Sequence, residues 1–251
     1  MKRLLALFFF LPSLVFAQND SVLSGAYSWK QPVVQKGKIS SVVLLEGKVH
    51  DFEWMQFAAN SIAGNTTIKQ AVSANQEQLL IVRSGAVTIH FGDSSFLLTA
   101  NSIAVLMPGE KYSLSNASTT TTDFFTMNYR SKKTADAQRG GTSFVKIWES
   151  IPFKGNNIGG GRRDFFEKPT VMQKRFEMHV TTLKEGLKSH EPHTHRAEEI
   201  ILVIEGETEM QMGNNIIKTT AGGFYYAGSK VLHGIKNIGT KSSTYFAIQF
   251  E

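Results

Sequence analysis

Thr208-Glu209-Met210-Gln211-Met212 runs into Gly213-Asn214-Asn215 and resumes as Ile216-Ile217-Lys218. Two β-prone segments joined by a Gly-Asn turn are the signature of a β-hairpin. The same unit stands earlier in the chain, as Ala86-Val87-Thr88-Ile89-His90-Phe91, then Gly92-Asp93-Ser94-Ser95, then Phe96-Leu97-Leu98. Arg83-Ser84-Gly85 leads into the first hairpin as Ile204-Glu205-Gly206 leads into the second. After each comes a turn-rich stretch and an apolar strand, Ala100 to Gly109 and Ala221 to Gly228. A repeat of this length implies a duplicated domain and not a solenoid. From Ser40 onward the chain is built of short β-branched and aromatic runs with almost no helical periodicity, so the expected fold is all-β, as two antiparallel barrels or jelly rolls.

The expected organisation is a signal peptide over 1–17, a first barrel over 18–130, a polar linker over 131–143 and a second barrel over 144–251. Met1-Lys2-Arg3, the apolar Leu4 to Phe16 and the small residue Ala17 have the layout of a cleaved secretory signal. The apolar run falls short of the roughly 20 residues that span a bilayer. A periplasmic or secreted protein with no membrane span in its mature form is the expectation.

Composition narrows the chemistry. With no Cys among 251 residues, neither disulfides, thiolate metal sites nor a Cys nucleophile are available. The formal charge of +6 becomes +4 without Lys2 and Arg3, and the basic residues are scattered and not interleaved with aromatics. That distribution argues against nucleic acid and suits a small acidic molecule or saccharide as partner. Neither a Gly-x-Ser-x-Gly nucleophile turn nor a phosphate-binding P-loop is found.

In His193-Thr194-His195 two imidazoles at i and i+2 fall on one side of an extended strand, with Glu199 four residues on. His233, in Val231-Leu232-His233-Gly234, returns to the same barrel mouth after the hairpin. Three nitrogens and a carboxylate are a set for one divalent transition metal, Mn, Fe, Ni, Co or Zn.

This pattern resembles the cupin superfamily. Gly186, His193-Thr194-His195, Glu199 and Gly206 follow the spacing of that family's first motif, and Gly223, His233 and Asn237 that of its second. The usual Pro-x-Gly turn of the second motif is replaced by Ala227-Gly228-Ser229-Lys230. The resemblance spans roughly residues 40 to 250 as two cupin barrels, and implies metal binding by His193, His195, Glu199 and His233 in the second. Counted back from Gly85 in the same register, the first repeat has Val72 and Ala74 at the two His positions, Gln78 for Glu199 and Tyr112 for His233, with Asn116 standing where Asn237 does. Apolar Val and Ala cannot ligate, so the first barrel is expected to be metal-free.

Other residues near the site have two readings each. His190 is either a proton carrier or a solvated loop histidine. Arg175, Glu177 and His179 alternate with Phe176, Met178 and Val180 and share one strand face. That face either lines the barrel, with His179 moving a proton and Arg175 and Glu177 binding substrate, or faces water; the second is the commoner arrangement for an alternating strand. Tyr225 or Tyr226 places a ring inside the barrel, with Tyr226 taken as the substrate contact. Arg162 and Arg163 after Gly159-Gly160-Gly161 form an anion clamp or an arm contacting the other domain.

The function these features support is an exported metal-dependent enzyme acting on a small oxygen-rich metabolite, a carboxylate or sugar derivative, by oxidation, hydrolysis, decarboxylation or isomerisation. The alternative is a non-catalytic sugar or small-molecule binder. The two-barrel layout is also similar to the ureidoglycine aminohydrolases, but that family's Glu-His-His-Gln ligand set differs from this one. A homodimer is compatible with either reading.

Overall fold

The computed structural model describes residues 21–133 and 135–251; the expected signal segment 1–17 lies outside the described residues. The first half supplies β1 (Gly25–Tyr27), β2 (Ile39–Gly47), β3 (Phe52–Ile62), β4 (Thr66–Ala71), β5 (Glu77–Ser84), β6 (Ala86–Phe91), β7 (Ser94–Thr99), β8 (Ile103–Leu106), β9 (Lys111–Asn116) and β10 (Thr122–Ser131). A single helical turn, α1 (Ala137–Gly140), is capped by Asp136, whose carboxylate accepts from the backbone of Gln138 and Arg139. The second half supplies β11 (Phe144–Lys146), β12 (Lys154–Gly155), β13 (Gly161–Lys168), β14 (Phe176–Leu183), β15 (Glu198–Glu205), β16 (Glu207–Met212), β17 (Asn215–Thr220), β18 (Phe224–Ala227), β19 (His233–Asn237) and β20 (Ser243–Phe250).

Each half folds a large sheet over a small one, which is the jelly-roll arrangement. The large sheets run β11-β8-β5-β10-β3-β2 and β1-β18-β15-β20-β14-β13-β12; the small ones run β4-β9-β6-β7 and β17-β16-β19. The two hairpins read from sequence are β6–β7 and β16–β17, paired Ala86↔Thr99 to Phe91↔Ser94 and Glu207↔Thr220 to Met212↔Asn215. The turns that launch them use Gly85 at φ +78° and Gly206 at φ +82°. A Cβ on Gly206 would stand 2.8 Å from Ser243 Cα, so both the backbone angle and the close approach require glycine.

The sheets cross the expected domain boundary twice. β1, from the first half of the chain, pairs with β18 of the second barrel, while β11 pairs with β8 of the first. The expected linker is also tied down: Arg139 donates to the carbonyls of Thr170 and Val171. Boundaries drawn where composition turns polar miss such an exchange, because three-residue strands carry too little pattern to announce their partner.

Three apolar clusters result. One fills the first barrel, around Leu80, Val82, Ile89 and Leu114, and a smaller one fills part of the second, around Ile201, Val203, Met210 and Tyr225. The largest lies between the two big sheets, where Leu79, Ile81, Phe57 and Tyr129 meet Ile200, Leu202, Phe224 and Phe246. Both faces of strands such as β5 and β15 are therefore buried, and the strands read as continuous apolar runs without alternation.

The interface between the halves has near-twofold symmetry. Glu77 and Glu198 stand 121 positions apart, at the starts of β5 and β15, and both are almost wholly buried. Glu77 accepts from Met172 N (2.9 Å), Thr170 Oγ1 (2.8 Å) and Tyr129 Oη (2.6 Å). Glu198 accepts from His50 N (2.8 Å), Asp51 N (3.1 Å) and Tyr226 Oη (2.5 Å). Each glutamate thus satisfies backbone donors of the opposite half, which would otherwise be buried without partners.

Candidate metal centre

The site lies inside the second barrel, between β14, β15 and β20 of the large sheet and β16 and β19 of the small one. Extended backbone at 193–195 pairs with β19, with reciprocal 3.0 Å hydrogen bonds between His193 and His233. That pairing sets three imidazoles side by side, and one ring nitrogen from each lies within 4.8 Å of the other two. Glu199 flanks them, its Oε2 3.0 Å from Nε2 of His233 and 3.8 Å from that of His195. Its other oxygen accepts from Gln249 Nε2 at 3.0 Å.

Hydrogen bonds fix which nitrogens face inward. His195 Nδ1 meets the Ala197 carbonyl and His233 Nδ1 that of Val231, each at 2.8 Å. A carbonyl only accepts, so both Nδ1 atoms carry a proton, and in the neutral rings both Nε2 atoms present lone pairs. Those two Nε2 atoms are buried and make no aligned hydrogen bond, the 3.0 Å approach of Glu199 included. Buried ring nitrogens without a partner, with carbonyls orienting the rings from behind, fit a metal ion. Burial raises the Glu199 carboxyl; where the His195 and His233 rings are protonated in place of holding a metal, they and Gln249 outweigh it and hold the group well below the usual carboxylate range. Burial and the neighbouring histidines keep His193 below the usual imidazole range.

Around this cluster lies a cavity of about 250 Å³, small beside the roughly 300–1,000 Å³ of drug-sized sites. Arg162, Glu177, His179, Thr181, Tyr245 and Gln249 form part of its polar wall, and His190 sits at its edge. The face carrying Glu177 and His179 points into the barrel, correcting the expectation of a solvated face. Phe176, Met178 and Val180, on the opposite face of β14, pack into the core between the sheets. Here the polar face is the interior one, because the barrel lumen holds the site and the outer face meets the other half.

Glu177 Oε1 accepts from Arg162 Nη2 and contacts His179 Nδ1, both at 3.0 Å. Its second oxygen accepts from Arg175. With three donors around one carboxylate, His179 Nδ1 is the proton-bearing nitrogen and Nε2 the one left for exchange. Burial and the Arg162 charge push His179 below its usual range. Arg175 does not line the cavity as expected of a substrate contact; it braces Glu177 and donates to Glu167 and Gln249 Oε1.

Tyr226 is likewise displaced from its expected role as substrate contact. It points out of the barrel into the intersheet core and donates to Glu198, while Tyr225 faces inward beside Thr208. The two arginines after Gly161 part company: Arg162 reaches the cavity, and Arg163 lies over the rings of Trp148 (4.6 Å) and Phe153 (5.5 Å). His190 packs edge-on against His193, ring centroids 4.2 Å apart, and its Nδ1 contacts the carbonyl of Glu191. Gln249 and Tyr245 were missed from sequence, although Tyr245-x-Ala247-x-Gln249 alternates with three core residues and so marks an inward face.

In the first barrel the corresponding place holds a hydrogen-bonded chain. Tyr112 Oη donates to Gln78 Oε1 and Gln78 Nε2 to Asn128 Oδ1, each at 2.7 Å.

Residues 179–249 match the model of the cupin domain family. The second barrel has the cupin fold. Likeness to solved cupin-fold structures extends over nearly the whole chain. AerE from Microcystis aeruginosa is 18% identical, with 90% of this chain and 98% of that one covered and a TM-score of 0.67. The protein Ylba from E. coli is 17% identical, covering 88% and 94%, with a TM-score of 0.63. A mutant of Bacillus subtilis oxalate decarboxylase is 12% identical, covering 90% and 77%, with a TM-score of 0.64. At these identities the likeness is one of fold. No curated protein matches the chain.

Proposed function

We propose that this two-barrel cupin is an exported, metal-dependent enzyme acting on a small oxygen-rich carboxylate or sugar derivative. The observation that carries the reading is the presence of two polar groups on the wall of one small cavity: His193, Glu199 and His233, with His195 beside them, and the Glu177–His179 pair. A divalent transition metal held by those four residues would supply Lewis-acid polarisation of a substrate oxygen. His179 takes a proton at Nε2 while Glu177 holds the ring through Nδ1, the division of labour expected of an oriented general base. Arg162, half-exposed at the wall, offers a guanidinium to a substrate carboxylate. Ser189, Thr181 and Tyr245 line the same cavity with hydroxyls that orient an oxygen-rich molecule.

The test is a turnover screen of the metal-loaded protein against small hydroxy acids, keto acids, dicarboxylates and sugar acids. Turnover lost in the His193→Ala/His195→Ala protein supports the reading; turnover retained by metal-stripped protein contradicts it. The hydroxyl-rich wall also favours a second reading, a non-catalytic binder of sugars or small molecules. Binding of a screened compound with no turnover, and with affinity unchanged in His179→Gln, selects that reading.

A further inference from the structure

Only Arg196, Ala197 and Glu198 separate the ligands His195 and Glu199, and two of these three are anchored in the other half of the molecule. Arg196 is gripped by Asp51 through both guanidinium nitrogens, Nη1 to Oδ2 at 2.7 Å and Nη2 to Oδ1 at 2.8 Å. Glu198 is held by the backbone N–H groups of His50 and Asp51. Asp51 is only 7% exposed while Arg196 is 42% exposed, so the pair is anchored on its acidic side. The second half holds this segment as well: Ser229 Oγ donates to the Arg196 carbonyl, Lys230 N to that of His195 and Tyr226 Oη to Glu198, and Arg196 Nη1 also reaches Glu251 Oε2 at 3.2 Å, so Asp51 is the first-half share of a support drawn from both halves.

The near-twofold relation shows what is peculiar to the metal side. At the equivalent place in the first half, Glu77 likewise accepts backbone donors from the opposite half. The positions equivalent to Arg196 and Asp51 are Asn75 and Met172, 121 residues away in each case, which cannot form an ion pair. The two-pronged salt bridge therefore stands only where the barrel carries ligands.

We infer that the first barrel sets the metal affinity of the second, with Asp51 as the positioning residue that holds Arg196 and so fixes the spacing of His195 and Glu199. The inference rests on the metal-binding reading of the site. Ligands held by side chains in well-bonded segments lose little freedom on binding, and removing outer supports of this kind costs about 10–100-fold in metal affinity. Asp51 acts through the backbone, one step further out, so a loss near tenfold is expected.

The test is titration of Zn²⁺ into the metal-stripped full chain, by competition with a chromophoric chelator, for wild type, Asp51→Asn, Arg196→Lys and Glu77→Gln. Asp51→Asn and Arg196→Lys should each bind about tenfold more weakly, and two variants guard against one failing to fold. Glu77→Gln loosens the same interface at its other end and should lower thermal stability while leaving Zn²⁺ affinity within twofold. Wild-type affinity in both Asp51→Asn and Arg196→Lys, or an equal loss in Glu77→Gln, overturns the inference. Absence of Zn²⁺ binding by wild type overturns instead the metal reading beneath it.

Discussion

Glu77 and Glu198 occupy the same place in the two halves of the molecule, and each closes hydrogen bonds with backbone donors of the half it does not belong to. A buried carboxylate is costly to desolvate, and it persists here because every contact to it is a donor. Glu77→Ala leaves Tyr129 Oη, Thr170 Oγ1 and Met172 N without their acceptor. At about 1–3 kcal/mol for each buried group left unpaired, with partial relief from water, a loss of roughly 2–4 kcal/mol is expected. Urea unfolding checks it; a loss below 1 kcal/mol would show that the interface does not depend on this group.

The ion pair on the metal side makes stability depend on pH in a stated direction. Burial raises Asp51, but Arg196 and His50 outweigh it and hold the carboxyl below its ordinary value. Lys133 lies at the edge of the same group, 4.0 Å away. A carboxyl lowered in the folded state favours folding above its unfolded value, about 3.9, and that favour is lost as pH falls through the folded value. Wild type should therefore exceed Asp51→Asn in stability at pH 7 and lose that advantage progressively below about pH 4. Chemical unfolding of both proteins at pH 7 and pH 3 measures the difference; an advantage unchanged at pH 3 would remove Asp51 as its source.

Gly206→Ala forces a side chain onto φ +82° and against Ser243 Cα. Strain of this kind costs on the order of 1–3 kcal/mol. Thermal unfolding should show a drop of several degrees, whereas alanine at Gly213, where a Cβ would meet nothing within 4 Å, pays only for its φ of +58°. Equal losses at the two positions would refute the close-approach argument.

The Glu177–His179 pair predicts separable effects on turnover. Glu177→Gln still occupies the space but gives His179 Nδ1 an ambiguous partner, so kcat should fall, by about 10²–10⁴-fold if proton transfer is catalysed there. Zn²⁺ affinity should stay near that of wild type, because neither residue belongs to the ligand set. Steady-state kinetics on the substrate found in the screen, read beside metal titration, distinguishes this from collapse of the site, in which both quantities would fall together.

How far the sequence carries the structure depends on which surface a residue faces. The duplicated hairpins and the glycines that launch them are local, and sequence suffices to place them. His193, His195, Glu199 and His233 are legible as a candidate set because strand periodicity and turn spacing decide where they meet. The face of β14 is not legible by the same reasoning. Alternation separates Glu177 and His179 from Met178 and Val180, but the usual assignment of apolar to inside fails where the lumen is partly polar and the outer face of the large sheet packs against the other half. Tyr226 is misplaced for the same reason, since it turns outward to Glu198 in the other half's contact zone. The exchange of β1 and β11 is invisible because three-residue strands carry no register of their own. The Asp51–Arg196 pair joins residues 145 apart, and no local pattern announces it.

The most direct test of the account is metal analysis of the purified full-length protein by plasma mass spectrometry, beside the His193→Ala/His195→Ala variant. About one equivalent of a divalent transition metal in wild type, after reconstitution if needed, and none in the variant is the predicted result. No metal in wild type after reconstitution, or the same content in both proteins, would contradict it.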